Sequence, residues 1–291
     1  MLANDVDWWR QVMASGADVG GSGAPVSVVI PCFCCSATIG RALDSVAAQT
    51  ALPLEVILVD DASHDGGMTL SALDRLATRY GDVFDVKIIG LKENGGAGSA
   101  RNRGWEVASQ PYIAFLDADD AWHPQKIEYQ LGWMVQHPAS GLVGHAHMRG
   151  DAVRHAWPML LPVNLVFPVS KIKALLSNPF ATPTVMLKRD LPFRFKEGKR
   201  YAEDYLLWLQ IILAGTPTAY LNQPLTATFK KDYGEHGLSA NLWQMEKGEL
   251  DVYAHIYREG KIGKLQFLML LIFSLTKYWR RIFLTYRLGK R

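Results

Sequence analysis

Tyr112-Ile113-Ala114-Phe115-Leu116-Asp117-Ala118-Asp119-Asp120 is the stretch that decides how this chain of 291 residues folds. Its apolar, β-branched and aromatic first half suits a strand buried in a sheet. Its second half holds three carboxylates. In extended chain Asp117 and Asp119, two residues apart, leave the same face. Like charges that close repel, and burial adds a desolvation cost; a divalent cation relieves both. Carboxylate oxygens suit the hard ions Mg2+ or Mn2+, which also take substrate phosphate oxygens. The segment reads as a metal–diphosphate site at the carboxyl end of a strand, with an acidic surface turn as the plainer alternative.

Upstream, the same grammar repeats. Val26–Ile30 is a β-rich run stopped by Pro31, and Leu54–Asp61 is a second buried strand ending in two acids. Val86–Ile89 is a third. Between them, Thr38–Gln49, Leu70–Tyr80 and Gly98–Ala108 carry apolar residues at helical spacing. Strand and helix in alternation predict parallel strands covered by helices on both faces. Ligands of such sheets bind beyond the carboxyl ends of the strands. Pro31, Asp60, Asp61, Asn94, Asp117 and Asp119 all fall there.

Downstream, Pro124–Val135 reads as a helix with proline in its first turn. Residues 145–168, with Trp157, Pro158 and Pro162, give no clear pattern. Thr184–Leu187 reads as a strand, Tyr201–Leu213 as a helix with Glu203 and Asp204 in its first turn, and Ala219–Phe229 as a strand or two. Three regions result: an N-terminal extension and linker over 1–24, the α/β domain over 25–230, and a basic helical region over 231–291. In the first, Asp5, Asp7 and a lack of apolar run argue against a secretory signal, while Trp8 and Trp9 suit a docking helix.

A net charge of +3 is too small to argue for nucleic acid. Cys32, Cys34 and Cys35 are too close together for an ordinary disulfide framework, which fits a reducing compartment. They lack a nearby fourth ligand for a thiolate metal site and read as small buried residues. The apolar run Leu265–Leu275 is shorter than the roughly 20 residues a membrane span needs. Six basic residues from Lys277 to Arg291 follow, with no acid among them. That combination suits a helix lying on an anionic membrane, or one packed on the domain or on a second copy in a homodimer.

Five segments together, in this order, resemble family 2 glycosyltransferases of the GT-A fold. They are Val26–Phe33, Val59–Asp65, Asn94–Gly104, Phe115–Asp120 and Glu203-Asp204-Tyr205. The resemblance implies an α/β, GT-A type Rossmann-like, mainly parallel sheet with a C-terminal helical extension. It implies inverting transfer of a sugar from a nucleotide-diphosphate donor, commonly UDP, to a saccharide or lipid-linked saccharide, with Mn2+ or Mg2+. By the same likeness Asp61 contacts the base, Pro31 and Phe33 line the base pocket, and Asp60 holds the loop. Gly96 and its neighbours Gly95 and Gly98 let backbone approach the ligand, and Arg101 faces the nucleotide. Asp117-Ala118-Asp119 touches ribose and metal, with Asp119 and Asp117 as ligands. His236, in Gly234–Ser239, would reach the metal or diphosphate. Asp204 would be the general base, with Glu203 the alternative. Cys34 departs from the family's usual Asn, and a thiol replaces an amide poorly. His145, His147 and His155 read as ordinary histidines, and Lys230 and Lys231 as a solvated pair. The implied location is the cytoplasmic face of a membrane. A sugar nucleotidylyltransferase shares this layout but wants a glycine- and arginine-rich first loop, absent at 31–36; a non-catalytic nucleotide-sugar-binding domain would not need Asp61, Asp119 and Asp204 intact.

Overall fold

The computed structural model describes residues 23–150, 157, 166–229 and 241–288. Most of the N-terminal extension, His155, Pro158, Pro162, Lys230, Lys231 and the 234–239 segment with His236 lie outside the described residues.

The first half follows the sequence pattern. Strands β1 (Ala24–Cys32), β2 (Pro53–Asp60), β3 (Asp85–Gly90) and β4 (Tyr112–Phe115) alternate with helices α1 (Ile39–Ala47), α2 (Met68–Tyr80) and α3 (Ala97–Val107). All four strands run parallel, in the order β3-β2-β1-β4. Period-two alternation splits their side chains between two cores. Val28 and Ile30 join Leu43 of α1 and Leu73 of α2 on one face. Val29, Ile57 and Phe115 join Ala100 and Trp105 of α3 on the other. Burying each large aliphatic side chain contributes about 1.5–3 kcal/mol, so both faces hold the sheet. A methyl on Gly104 would meet Val29 Cγ1 at 2.3 Å, so α3 rests on β1 through bare backbone.

The second half is mixed. After β5 (Ala121–Trp122), α4 (Lys126–Gln136), β6 (Leu142–Arg149), β7 (Val166–Pro168) and α5 (Lys171–Leu176) come β8 (Met186–Lys188), α6 (Glu203–Leu213) and β9 (Thr218–Thr228). The sheet continues β4-β8-β6-β9-β5, with β7 on β9. Among these pairs only β6 and β9 run parallel. Three local expectations change. Pro124 precedes the cap residue Gln125 instead of entering α4, because its carbonyl accepts from Thr50 N. Thr182–Thr184 forms a tight turn, closed by the Thr184 hydroxyl on Ala181 O at 2.7 Å, and the strand starts at Met186. Residues 218–228 form one strand whose register against β6 shifts near Pro224, which has no N–H to give the ladder.

Two further helices close the fold, α7 (Leu242–Arg258) and α8 (Lys264–Leu288). Val252, Tyr253, Ile256 and Leu270 bury in the same core as α3 and α6. Ser274 donates to Glu246 at 2.8 Å inside that contact, and Lys277 pairs with Glu249. No helix among the described residues is long and apolar enough to cross a membrane.

Candidate functional site

The acidic stretch is a turn, not extended chain. Asp120 N donates to Asp117 O at 3.0 Å, closing a four-residue reversal. The alternation expected for Asp117 and Asp119 therefore does not apply. The turn achieves the same end: carboxylate oxygens of Asp117, Asp119 and Asp120 lie within 4.8 Å of one another. The turn is pinned from outside. Arg41 donates to Asp119 O and stacks its guanidinium 3.8 Å above the Phe229 ring, while Phe229 N donates to Asp120 Oδ1 at 3.2 Å. An all-carboxylate donor set fits Mg2+ or Mn2+ and not a soft metal.

On one side of the turn a cleft of about 520 Å3 is lined by Pro31, Phe33, Asp61, Gly96, Ala118 and Asp119, among others. Phe33 is 44% exposed and offers a ring face beside His64. Asp61 is buried, and its two carboxylate oxygens accept from Gly95 N and Gly96 N, both at 2.8 Å. Gly96 needs its φ of +85° for this cradle. Asp60 accepts from Ser63 and shapes the loop after β2. Cys32 and Cys35 are buried. Cys34 is exposed, contrary to the sequence expectation: it lies in the bend after β1 with a φ of 47°, its Sγ 3.9 Å from His64 Nδ1.

On the other side lies a larger cavity of about 720 Å3, with Glu203 and Asp204 on its wall. Both acids open α6, where the helix dipole favours them. Asp204 Oδ1 accepts from Tyr205 N at 2.7 Å, and Oδ2 from Asn178 and Thr182 at 3.2 and 3.3 Å. Burial nevertheless raises its pKa. Burial, then repulsion from Asp204, pushes Glu203 up to about 7. Gly98 makes room for this corner: a methyl there would meet Glu203 Cγ at 3.2 Å. Arg101 joins the two pockets. Buried, it gives one nitrogen to Asp117 at 2.7 Å and another to Glu203 at 3.3 Å. Its donors thus hold the acidic turn against the start of α6.

Several lining residues were not read from the sequence. Arg200 borders both pockets and donates to Asn94; a cation three residues before an acidic helix start was the available signal. Asn178 and Thr182 gave none. Lys277 and Arg281, read as membrane-facing, line the second cavity. His147 lines it too, while His145, also on β6, is buried, and desolvation holds it well below the usual histidine range.

Comparison with known proteins places these features in a family. The model described as "Glycosyl transferase family 2" matches residues 27–196. TuaG of Bacillus subtilis (strain 168), whose name places it in teichuronic acid biosynthesis as a glycosyltransferase, is 30% identical over 236 residues, 80% of this chain and 88% of TuaG. WfgD of Escherichia coli, named as a UDP-Glc:α-D-GlcNAc-diphosphoundecaprenol β-1,3-glucosyltransferase, is 26% identical over 247 residues, 84% of this chain and 90% of WfgD. Among solved structures, S. aureus TarS 1–349 in complex with UDP-GlcNAc superposes with a TM-score of 0.66 at 19% identity, over 88% of this chain and 72% of that one. At that identity the likeness speaks for the fold.

Proposed function

The chain belongs to glycosyltransferase family 2, and on that footing we propose that it moves a sugar from a UDP-linked donor to an acceptor hydroxyl, with inversion, in the assembly of a bacterial surface polysaccharide or glycolipid. The observation that carries this reading is the junction itself: one acidic turn borders a cleft that ends in an exposed aromatic, and one arginine ties that turn to Glu203, which stands beside Asp204 on the wall of a neighbouring cavity. The names of TuaG and WfgD, and the UDP-sugar bound to TarS, support the donor and the setting.

The nucleotide lies in the first cleft, its base on Phe33, where a flat π face suits stacking. Asp117 and Asp119 hold the metal; when bound, it neutralises charge on the leaving diphosphate. The acceptor enters the second cavity. Asp204, fixed by Tyr205 N, Asn178 and Thr182, takes the proton of the attacking hydroxyl. Arg101, paired with Asp117 and with Glu203 beside the base, holds the acidic turn against the start of α6. His236, outside the described residues, would add a contact to the metal or the diphosphate.

Nucleotide binding tests the reading at its root. In a thermal-shift screen of nucleoside diphosphates with Mn2+, UDP raises Tm most, since a ligand bound only by the folded state stabilises it. A screen in which no nucleoside diphosphate raises Tm contradicts the proposal. The raised carboxylates at α6 give a pH signature. A base is idle when protonated, and burial raises the Asp204 carboxyl above its ordinary value, so kcat/KM starts to fall at a higher pH than an unperturbed carboxylate base would show. An ordinary carboxylate base would hold activity down to about pH 4. Because the pair shares its protons, the limb belongs to both groups.

Membrane contact belongs to the same proposal. Leu265, Ile272 and Trp279 are each about two-thirds exposed or more on α8, and basic residues follow them. With anionic phospholipid vesicles the full chain co-sediments, and the exposed-face variant Ile272→Glu/Trp279→Glu does not. Equal sedimentation of both removes α8 as the contact.

A further inference from the structure

Helix α8 is apolar on two opposite faces, and only one serves the core. Leu270 and Ser274 are buried against the domain. At 100° per residue, Leu265, Leu268, Met269, Ile272, Trp279 and Phe283 share an arc of about 100°. Each is exposed, and the arc points away from Leu270 and Ser274. A helix of this kind lies along an interface with its apolar side down. Lys277 and Arg281, one turn apart, sit on the opposite half of the same helix and border the second cavity, the one that holds Asp204.

Lys277 is set up for a ligand. Its ammonium gives one hydrogen to Glu249 and one to Leu176 O at 3.2 Å. These two contacts, with the Phe273 ring centroid 5.1 Å from Nζ, fix the ammonium at the edge of the cavity it lines. Arg281 adds a planar fork one turn along, a shape that suits phosphate oxygens. A neutral sugar hydroxyl needs no such pair of cations; a phosphate does. A helix is about 10 Å across. The two cations therefore stand about one helix diameter above the apolar face, at the level of lipid headgroups.

We propose that Lys277 and Arg281 bind the diphosphate of a lipid-linked acceptor that remains in the bilayer on which α8 lies. This rests on reading the second cavity as the acceptor side. It adds to that reading the chemical class of the acceptor and the residues that select it. The sugar hydroxyl would then lie deeper in the cavity, toward Asp204, while the lipid stays outside. A soluble glycoside that lacks phosphate would use the same catalytic groups without this hold.

The test is calorimetric titration of geranyl diphosphate into the full chain with UDP and Mn2+ saturating, so that the first cleft is filled. Wild type binds geranyl diphosphate, and Lys277→Gln/Arg281→Gln weakens it at least about tenfold, the scale of losing hydrogen bonds to charged groups. Lys264→Gln, a charge loss at the far end of α8, leaves the affinity unchanged, and Lys277→Arg restores part of it. If the double variant does not fold, as judged by its Tm and UDP affinity, Arg281→Gln alone decides by the same criterion. Equal affinity in wild type and variant overturns the proposal, as does wild type that binds UDP but no geranyl diphosphate. Inorganic pyrophosphate binding as tightly as geranyl diphosphate also overturns it, since the site would then take free phosphate. Wild type that fails to bind UDP overturns the underlying function, and the inference with it.

Discussion

Asp204→Asn lowers kcat by about 10²–10⁴-fold, the range a positioned general base contributes, and leaves donor KM close to wild type. The substitution keeps the shape and removes the proton acceptor. Tyr205 N still finds an oxygen 2.7 Å away, the Thr182 hydroxyl can rotate to accept, and only Asn178 Nδ2, 3.2 Å away, loses its acceptor. A change with so little structural cost reports on chemistry. A group that acts only as the hydroxyl attacks affects kcat and kcat/KM alike. Glu203→Gln is the control, because Glu203 is the rival base and carries the pKa near 7. Its oxygen accepts from Arg101 at 3.3 Å, so a positioning role is available to it. The account expects the smaller loss in Glu203→Gln. The reverse order would move the base by one residue, and survival of activity in both variants would remove α6 from the chemistry.

Asp119→Ala carries the second large effect. The turn brings three carboxylates within 4.8 Å, an arrangement that repulsion opposes unless a cation is present. Removing one ligand weakens the hold on the metal and on the diphosphate it neutralises. At about 3 kcal/mol, a modest share of what a metal supplies, kcat/KM falls about 10²-fold. The stability readout isolates the metal: the rise in Tm that Mn2+ gives wild type over chelator disappears in the variant. A variant that loses Tm in chelator would show that Asp119 holds the turn together through its carboxylate, and the activity loss would then be structural.

Much of this site was readable from the chain alone because its parts sit at strand ends. Val26–Ile30, Leu54–Asp60 and Tyr112–Phe115 are mainly apolar runs, broken by Ser27 and Glu55, as suits strands buried on both faces, and each delivers its next residues to the same edge of the sheet. The second half resisted for a physical reason. Met186–Lys188 is three residues long, too short to show a period, and its place between β4 and β6 is fixed by partners far along the chain. Pro224 interrupts β9 and leaves the sequence pattern open between one strand and two. The turn at Asp117–Asp120 was mistaken for extended chain because Asp and Ala at alternate positions suit either; only the Asp120 N to Asp117 O bond decides. Asn178 and Thr182 reach the site from the segment between α5 and β8, and no local pattern marks them; Arg200 offered only its charge, three residues before Glu203. Lys277 and Arg281 were legible as charge but not as direction. Their inward turn follows from Leu270 and Ser274 burying the same half of α8.

The central claim is that the acidic turn and the cleft beside Phe33 bind metal and nucleoside diphosphate together. Calorimetric titration of UDP into the wild-type chain, with and without Mn2+, measures this with no acceptor needed. The account predicts UDP binding that tightens at least about tenfold when Mn2+ is added, as expected when a cation bridges carboxylates and phosphate. UDP affinity that is the same with Mn2+ and with chelator, or no UDP binding in either, would contradict it.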